Sequence, residues 1–157
     1  MKGNEKIIVT LNRLLSEELT AINQYMVHSE MNHNWGYERL HKKIEKIAID
    51  EMKHAEKLIA RILFLEGAPT VSKLNTINIG KDVPIIIGND LQAETDAIKS
   101  YNEAVRQTIE LGDGGTRELL ENNLTDEERH LDWYESQRDQ IGQMTIGNYL
   151  VTQTEEE

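Results

Sequence analysis

The chain has 157 residues, with 28 Asp and Glu against 17 Lys and Arg, a formal net charge of −11, no cysteine, two prolines and 5% aromatic residues. This length suits one domain able to bury a core. The lack of cysteine excludes a disulfide framework, a thiolate zinc site and a cysteine nucleophile, and the acid excess makes nucleic acid and anionic membranes poor partners.

Four long helical patterns follow one another. The first runs from about Glu5 to Asn34 behind Asn4 as N-cap, with an apolar stripe at Ile8, Leu11, Leu15, Ile22 and Tyr25, and Trp35-Gly36 ends it. The second runs from about Glu38 to Glu66 on Leu40, Ile44, Ile47, Leu58, Ile62 and Leu65, and Gly67 and Pro69 close it. A connection over about Ala68 to Lys81 mixes Val71, Leu74, Ile77 and Ile79 with turn formers and can lie extended. Asp82 caps the third helix, Pro84 sits in its first turn, and Ile87, Leu91, Ile98, Tyr101 and Val105 point inward as far as about Leu111. Asp113-Gly114-Gly115 reads as a turn. The fourth helix spans about Thr116 to Ile141, with Leu120, Leu124, Leu131 and Tyr134 inward, and Gly142 interrupts it. Ile146 to Gln153 forms a short fifth helix before the acidic tail Glu155-Glu156-Glu157.

Apolar runs such as Ile85-Ile86-Ile87 are too short to span a bilayer, and the start Met1-Lys2-Gly3-Asn4 lacks the apolar run of a secretory leader, so a cytoplasmic protein is expected. Tight joints between helices one and two and between three and four, with a long joint between, give two antiparallel hairpins and one crossover. The expected fold is all-α, a ferritin-like four-helix bundle with a short C-terminal fifth helix, and a single domain over residues 1–157.

The stripes carry charged residues where apolar ones are needed: Glu18, Glu51, His54, Glu94, Glu127 and His130. Buried charge is expensive unless it is paired or binds metal. A shift of 76 positions lays Glu18 on Glu94, Glu51 on Glu127, His54 on His130, Tyr25 on Tyr101, Asp50 on Asp126 and Gly36 on Gly112. One ungapped shift that aligns both hairpins marks a duplicated hairpin with a pseudo-two-fold axis.

The Glu-x-x-His spacing alone is a weak signal, because four of the five histidines have a Glu three residues earlier. Glu30/His33 and Glu38/His41 have no counterparts at the shift, since Ile109 and Arg117 stand where the histidines would fall, and they are read as solvated helix-end residues. In the repeated pairs, residues three apart lie one turn apart on one face, about 4.5 Å along the axis. Four carboxylates and two neutral imidazoles balance two divalent cations, and mixed oxygen and imidazole donors favour iron or manganese over calcium, magnesium or a closed zinc site. The set matches a known bundle template, one Glu from each of two helices and Glu-x-x-His from each of the others. A metal-free Glu–His network that fixes helix register is the alternative.

At these residues the sequence resembles the bacterioferritins. The resemblance runs through nearly the whole chain and is carried by Asn23-Gln24-Tyr25, Asn34-Trp35-Gly36, Ile49-Asp50-Glu51-Met52-Lys53-His54-Ala55, Arg61-Ile62-Leu63-Phe64-Leu65-Glu66-Gly67 and Asn148-Tyr149-Leu150. It implies a ferroxidase that oxidises Fe(II) with dioxygen or peroxide and stores Fe(III) as a mineral in a hollow homo-oligomeric shell of 24 subunits built from two-fold dimers. A ferredoxin-type reductant would serve iron release. By the resemblance, two irons per subunit are held by Glu18, Glu51, His54, Glu94, Glu127 and His130, with Glu51 and Glu127 bridging, and Tyr25 lies nearby.

Met52 breaks the repeat, because Glu128 stands at its partner position, and it lies on a second apolar stripe with Ile49, Ile59 and Leu63. From the residues alone such a Met reads as packing; the resemblance implies that it ligates haem b shared between two subunits, one Met from each. Lys46 replaces a His that some members carry beside Asp50, and a cation there disfavours an iron site on the inner shell surface. The competing readings are a non-storing di-iron oxidase or peroxidase similar to rubrerythrin, weakened by the absence of Cys, and a haem or electron-transfer bundle.

Overall fold

A computed structural model describes residues 1–155, so Glu156 and Glu157 of the acidic tail lie outside the described residues. The helices are α1 (Glu5–Trp35), α2 (Glu38–Phe64), α3 (Val83–Glu110), α4 (Gly114–Met144) and α5 (Ile146–Thr152). The chain is all-helical, with α1 paired to α2, α3 to α4, α1 against α3, α2 against α4, and α5 on α4. No helix among the described residues is long and apolar enough to cross a membrane.

Local chemistry sets most boundaries. Asn4 accepts from the Lys6 amide, Asp82 from Ile85 and Asp113 from Thr116, each satisfying a donor that the first helical turn leaves free. Gly36 and Gly112, repeat partners, both take the left-handed conformation, φ 85° and 70°, that turns each hairpin.

Three expected boundaries differ. Asp113 is the cap of α4, so Gly114 and Gly115 belong to its first turn, and the hairpin turn is Leu111-Gly112. Gly142 does not interrupt α4, which continues to Met144. It ends where Thr145 adopts φ 66°, redirecting the chain so that Tyr149 of α5 is buried and donates to Gln137 Oε1 at 2.6 Å. At the end of α2 the left-handed residue is Glu66, φ 64°, rather than Gly67. Gly67 answers a packing demand instead: a Cβ there would lie 2.7 Å from Ile8 Cγ2.

The connection between the hairpins runs over the bundle without regular structure and is pinned to α1. Thr20, Gln24 and His28, spaced four apart on one face of α1, accept the amides of Asn75 at 2.8 Å, Asn78 at 3.0 Å and Gly80 at 2.9 Å. The core forms two apolar clusters. One joins Leu11, Leu15, Leu58, Ile62 and Leu120; the other joins Tyr25, Ile44, Ile47, Ile86 and Tyr149. The charged layer predicted from the repeat belongs to neither.

Candidate metal centre

All six expected residues are buried, from 0% exposure for Glu94 and Glu127 to 5% for His130. They form two overlapping groups, Glu18, Glu51, His54 and Glu127, and Glu51, Glu94, Glu127 and His130, in each of which the candidate ligand atoms lie within 4.8 Å of one another. Glu51 and Glu127 belong to both, so they occupy the shared positions.

Each imidazole turns Nδ1 inward. His54 Nδ1 lies 3.0 Å from Glu127 Oε1, 3.3 Å from Glu51 Oε1 and 3.6 Å from Glu18 Oε2. His130 Nδ1 lies 3.2 Å from Glu51 Oε1, 3.5 Å from Glu94 Oε1 and 3.7 Å from Glu127 Oε1. The outer nitrogens are held by acids of the opposite repeat, His54 Nε2 by Asp126 Oδ2 at 2.8 Å and His130 Nε2 by Asp50 Oδ2 at 2.9 Å. A carboxylate that fixes the far nitrogen orients the ring and raises its basicity toward a metal. Tyr25 donates to Glu94 Oε1 and Tyr101 to Glu18 Oε1, both at 2.7 Å, with Asn123 donating to the Tyr101 oxygen. The pseudo-two-fold axis therefore extends past the ligands to the tyrosines and aspartates that support them.

What remains unmatched lies inside. Glu18 Oε2, Glu51 Oε1, His54 Nδ1, Glu94 Oε2, both Glu127 oxygens and His130 Nδ1 are buried without an aligned hydrogen bond. Such groups are costly to leave unpaired, and they converge on two points, each of which could hold a metal ion. Protons take up part of the charge. Burial, with the neighbouring carboxylates, drives the Glu51 and Glu127 pKa values well above the ordinary range. Burial lowers that of His54, but the facing Glu127, Glu18 and Glu51 outweigh it and push it up to about 12. Burial likewise lowers that of His130, but Glu94, Glu127 and Asp50 outweigh it, and the net direction is upward.

The sign of the resulting pH dependence follows. At pH 7 the metal-free His54 holds protons on both nitrogens, so a metal that takes Nδ1 must expel one. Anaerobic Fe(II) or Zn(II) addition to unbuffered protein should release at least one proton per chain, followed by pH-stat, and binding should weaken as pH falls. Uptake without proton release would contradict this.

Sequence reasoning placed the six residues correctly on inward faces. It saw Asp50 and Asp126 as repeat partners, and Asp50 beside Lys46, without assigning either to an imidazole; the signal was their position four before each His, which puts them beside it, but their pairing crosses between helices. Met52 lies 45% exposed among Met26 (50%) and Ile49 (42%), lining a groove with Ile22, so most of the second stripe is an outer face of this chain. Ile59 departs from it by packing against the first core cluster. Lys46 is exposed, and Asp50 beside it is engaged by His130.

Comparison with known proteins gives the family. Residues 8–144 match the model of the ferritin-like domain family. The chain is 45% identical over 137 residues to the bacterioferritin of Rhodobacter capsulatus, covering 87% of this chain and 85% of that protein. It is 41% identical over 149 residues to the bacterioferritin of Brucella melitensis (95% and 92% coverage). It is 40% identical over 154 residues to the bacterial ferritin of Synechocystis sp. (98% and 99%). Together with the duplicated helical hairpins, these matches place the chain in the bacterioferritin family of ferritin-like proteins.

Proposed function

We propose that the chain is an iron-storage ferroxidase, a single ferritin-like domain that binds Fe(II) at its bundle centre, oxidises it and stores it as Fe(III) mineral in a shell of 24 subunits. The convergence of buried, unpartnered carboxylate and imidazole atoms on two points carries this reading. Glu51 and Glu127 bridge the two substrate irons. Glu18 and His54 complete one position, Glu94 and His130 the other. Each Fe(II) gives up one electron, and dioxygen or peroxide takes up the pair. The chain's residues select iron by donor type, hold the two ions side by side, and exchange protons for cations as the centre fills. Tyr25 and Tyr101 keep Glu94 and Glu18 oriented. A stopped-flow titration of aerobic Fe(II) oxidation tests this: the fast phase should saturate at two Fe(II) per chain, and a fast phase without a break would refute it.

Ile22, Met26, Ala48, Ile49 and Met52 give one groove a largely apolar wall, with Ser29, Glu30 and Glu45 also lining it, and this wall supports a haem edge there. Met52, with its counterpart from a second subunit, would hold haem b, which would supply one-electron transfer. Met52→Leu should remove the visible bands of a six-coordinate haem from reconstituted protein; unchanged bands would move the ligand elsewhere. The long coverage of bacterioferritins, and the outward apolar face, support assembly through two-fold dimers.

A further inference from the structure

The two Glu-x-x-His pairs outside the repeat do not stay apart as solvated helix ends. His33, in the last turn of α1, and Glu38 and His41, in the first turn of α2, are carried together by the Gly36 turn, which the Tyr37 amide locks to the Asn32 carbonyl at 2.9 Å. Their candidate ligand atoms lie within 4.8 Å of one another. His33 Nδ1 is 2.8 Å from Glu38 Oε1, and the two imidazole rings lie side by side with centroids 4.6 Å apart.

His41 is the informative member, because its Nδ1 is engaged by the protein. The Ser29 hydroxyl gives its only proton to the His41 carbonyl, at 3.1 Å. Its oxygen, 2.9 Å from His41 Nδ1, can therefore only accept, as can the Ser29 carbonyl oxygen 3.1 Å from the same nitrogen. The Ser29 carbonyl can only accept, so Nδ1 donates to the protein and Nε2 is the nitrogen left for a ligand. That is how a metal-bound histidine is held: the far nitrogen donates to the protein, and the near one is presented. Nε2 lies 3.8 Å from Glu45 Oε2, so a carboxylate stands beside the nitrogen that a metal would take. Glu30, His41 and Glu45 form a second cluster around the same imidazole.

We propose that the α1–α2 turn carries a surface site for one divalent first-row transition ion, zinc or copper in character, bound by His33, Glu38 and His41. Two imidazoles and a carboxylate suit such ions and not calcium or magnesium, which take oxygen. With His33 at the surface, the remaining coordination positions are open to water. Glu30 and Glu45 balance the charge that one carboxylate leaves on the dication. His41 lies ten residues before Glu51 on α2, about 15 Å along the axis, so this site is separate from the bundle centre. A bound ion would staple the two helix ends together across the hairpin turn.

Zn(II) is the probe. In equilibrium dialysis of the full chain at neutral pH, His33→Ala and Glu38→Gln should each lower the bound Zn(II) by one equivalent per chain relative to the unaltered protein, with helical circular dichroism unchanged. Equal stoichiometry in folded variants overturns the proposal. Crystals of the unaltered protein soaked in Zn(II) give a readout that does not depend on any variant folding. An anomalous peak between His33 and His41 is expected, and its absence at full occupancy of the bundle centre overturns the site.

Discussion

Glu127→Gln should cut the initial rate of Fe(II) oxidation by about a hundredfold or more while making the metal-free protein more stable. Glu127 is shared by both ligand groups, with both oxygens buried and unpartnered. A metal centre supplies several kcal/mol of charge stabilisation, and about 1.4 kcal/mol is tenfold in rate, so loss of a bridging carboxylate removes the fast reaction rather than slowing it slightly. Stability moves the other way. Without metal, this side chain is held either as a desolvated anion or by a proton it would give up in water, and both cost free energy. The amide keeps the shape, carries no charge or extra proton, and its oxygen can still accept from His54 Nδ1. A gain of about 1–3 kcal/mol is expected, read as a rise of several degrees in the thermal midpoint. A variant that keeps its fast phase would break the ligand assignment. A variant that loses both activity and stability would make Glu127 a structural residue.

The second large effect is structural and lies beside the centre. Asp90, fully buried on α3, accepts from His28 Nδ1 and Gln24 Nε2 at 2.8 and 2.9 Å and from the Tyr134 hydroxyl at 3.2 Å. Burial raises its pKa, opposed chiefly by His28. His28 and Gln24 also hold the amides of Gly80 and Asn78, so one carboxylate organises the side chains that anchor the crossover. Asp90→Ala strands three buried donors and leaves a small cavity. A loss of about 3–5 kcal/mol is expected, with hydrogen exchange at Asn78 and Gly80 accelerating ahead of global unfolding. Exchange that stays slow at both amides would show that the crossover is held by other contacts.

The bundle and its charged layer were legible in the sequence because both rest on periodicity. The pattern of Leu and Ile at helical spacing gave the four helices, and Asn4 and Asp82 gave two of their starts. The six inward charges stood out against those stripes, and the duplication removed the ambiguity of Glu-x-x-His in a chain rich in Glu. Contacts between elements were less legible. Gly142 reads as a breaker, yet its helical cost of about 1 kcal/mol is outweighed by continued packing of α4, and the chain turns at Thr145 to seat Tyr149. Gly67 reads as a left-handed stop, but its lack of a side chain serves the approach of Ile8. The crossing of Asp50 to His130 and of Asp126 to His54 needs the fold, as does the meeting of His33 with His41. Each pairs residues on different helices, which the period of a single helix does not relate.

The central claim joins chemistry to storage, and size-exclusion chromatography with iron analysis after aerobic Fe(II) addition tests both at once. If the chain oxidises iron at its bundle centre and mineralises it within a shell, soluble Fe(III) far exceeding two atoms per chain should co-elute with a particle many times the mass of one subunit, and Glu127→Gln particles of the same size should gain iron much more slowly. Elution as a monomer or dimer, with the added iron lost as precipitate, would contradict the account.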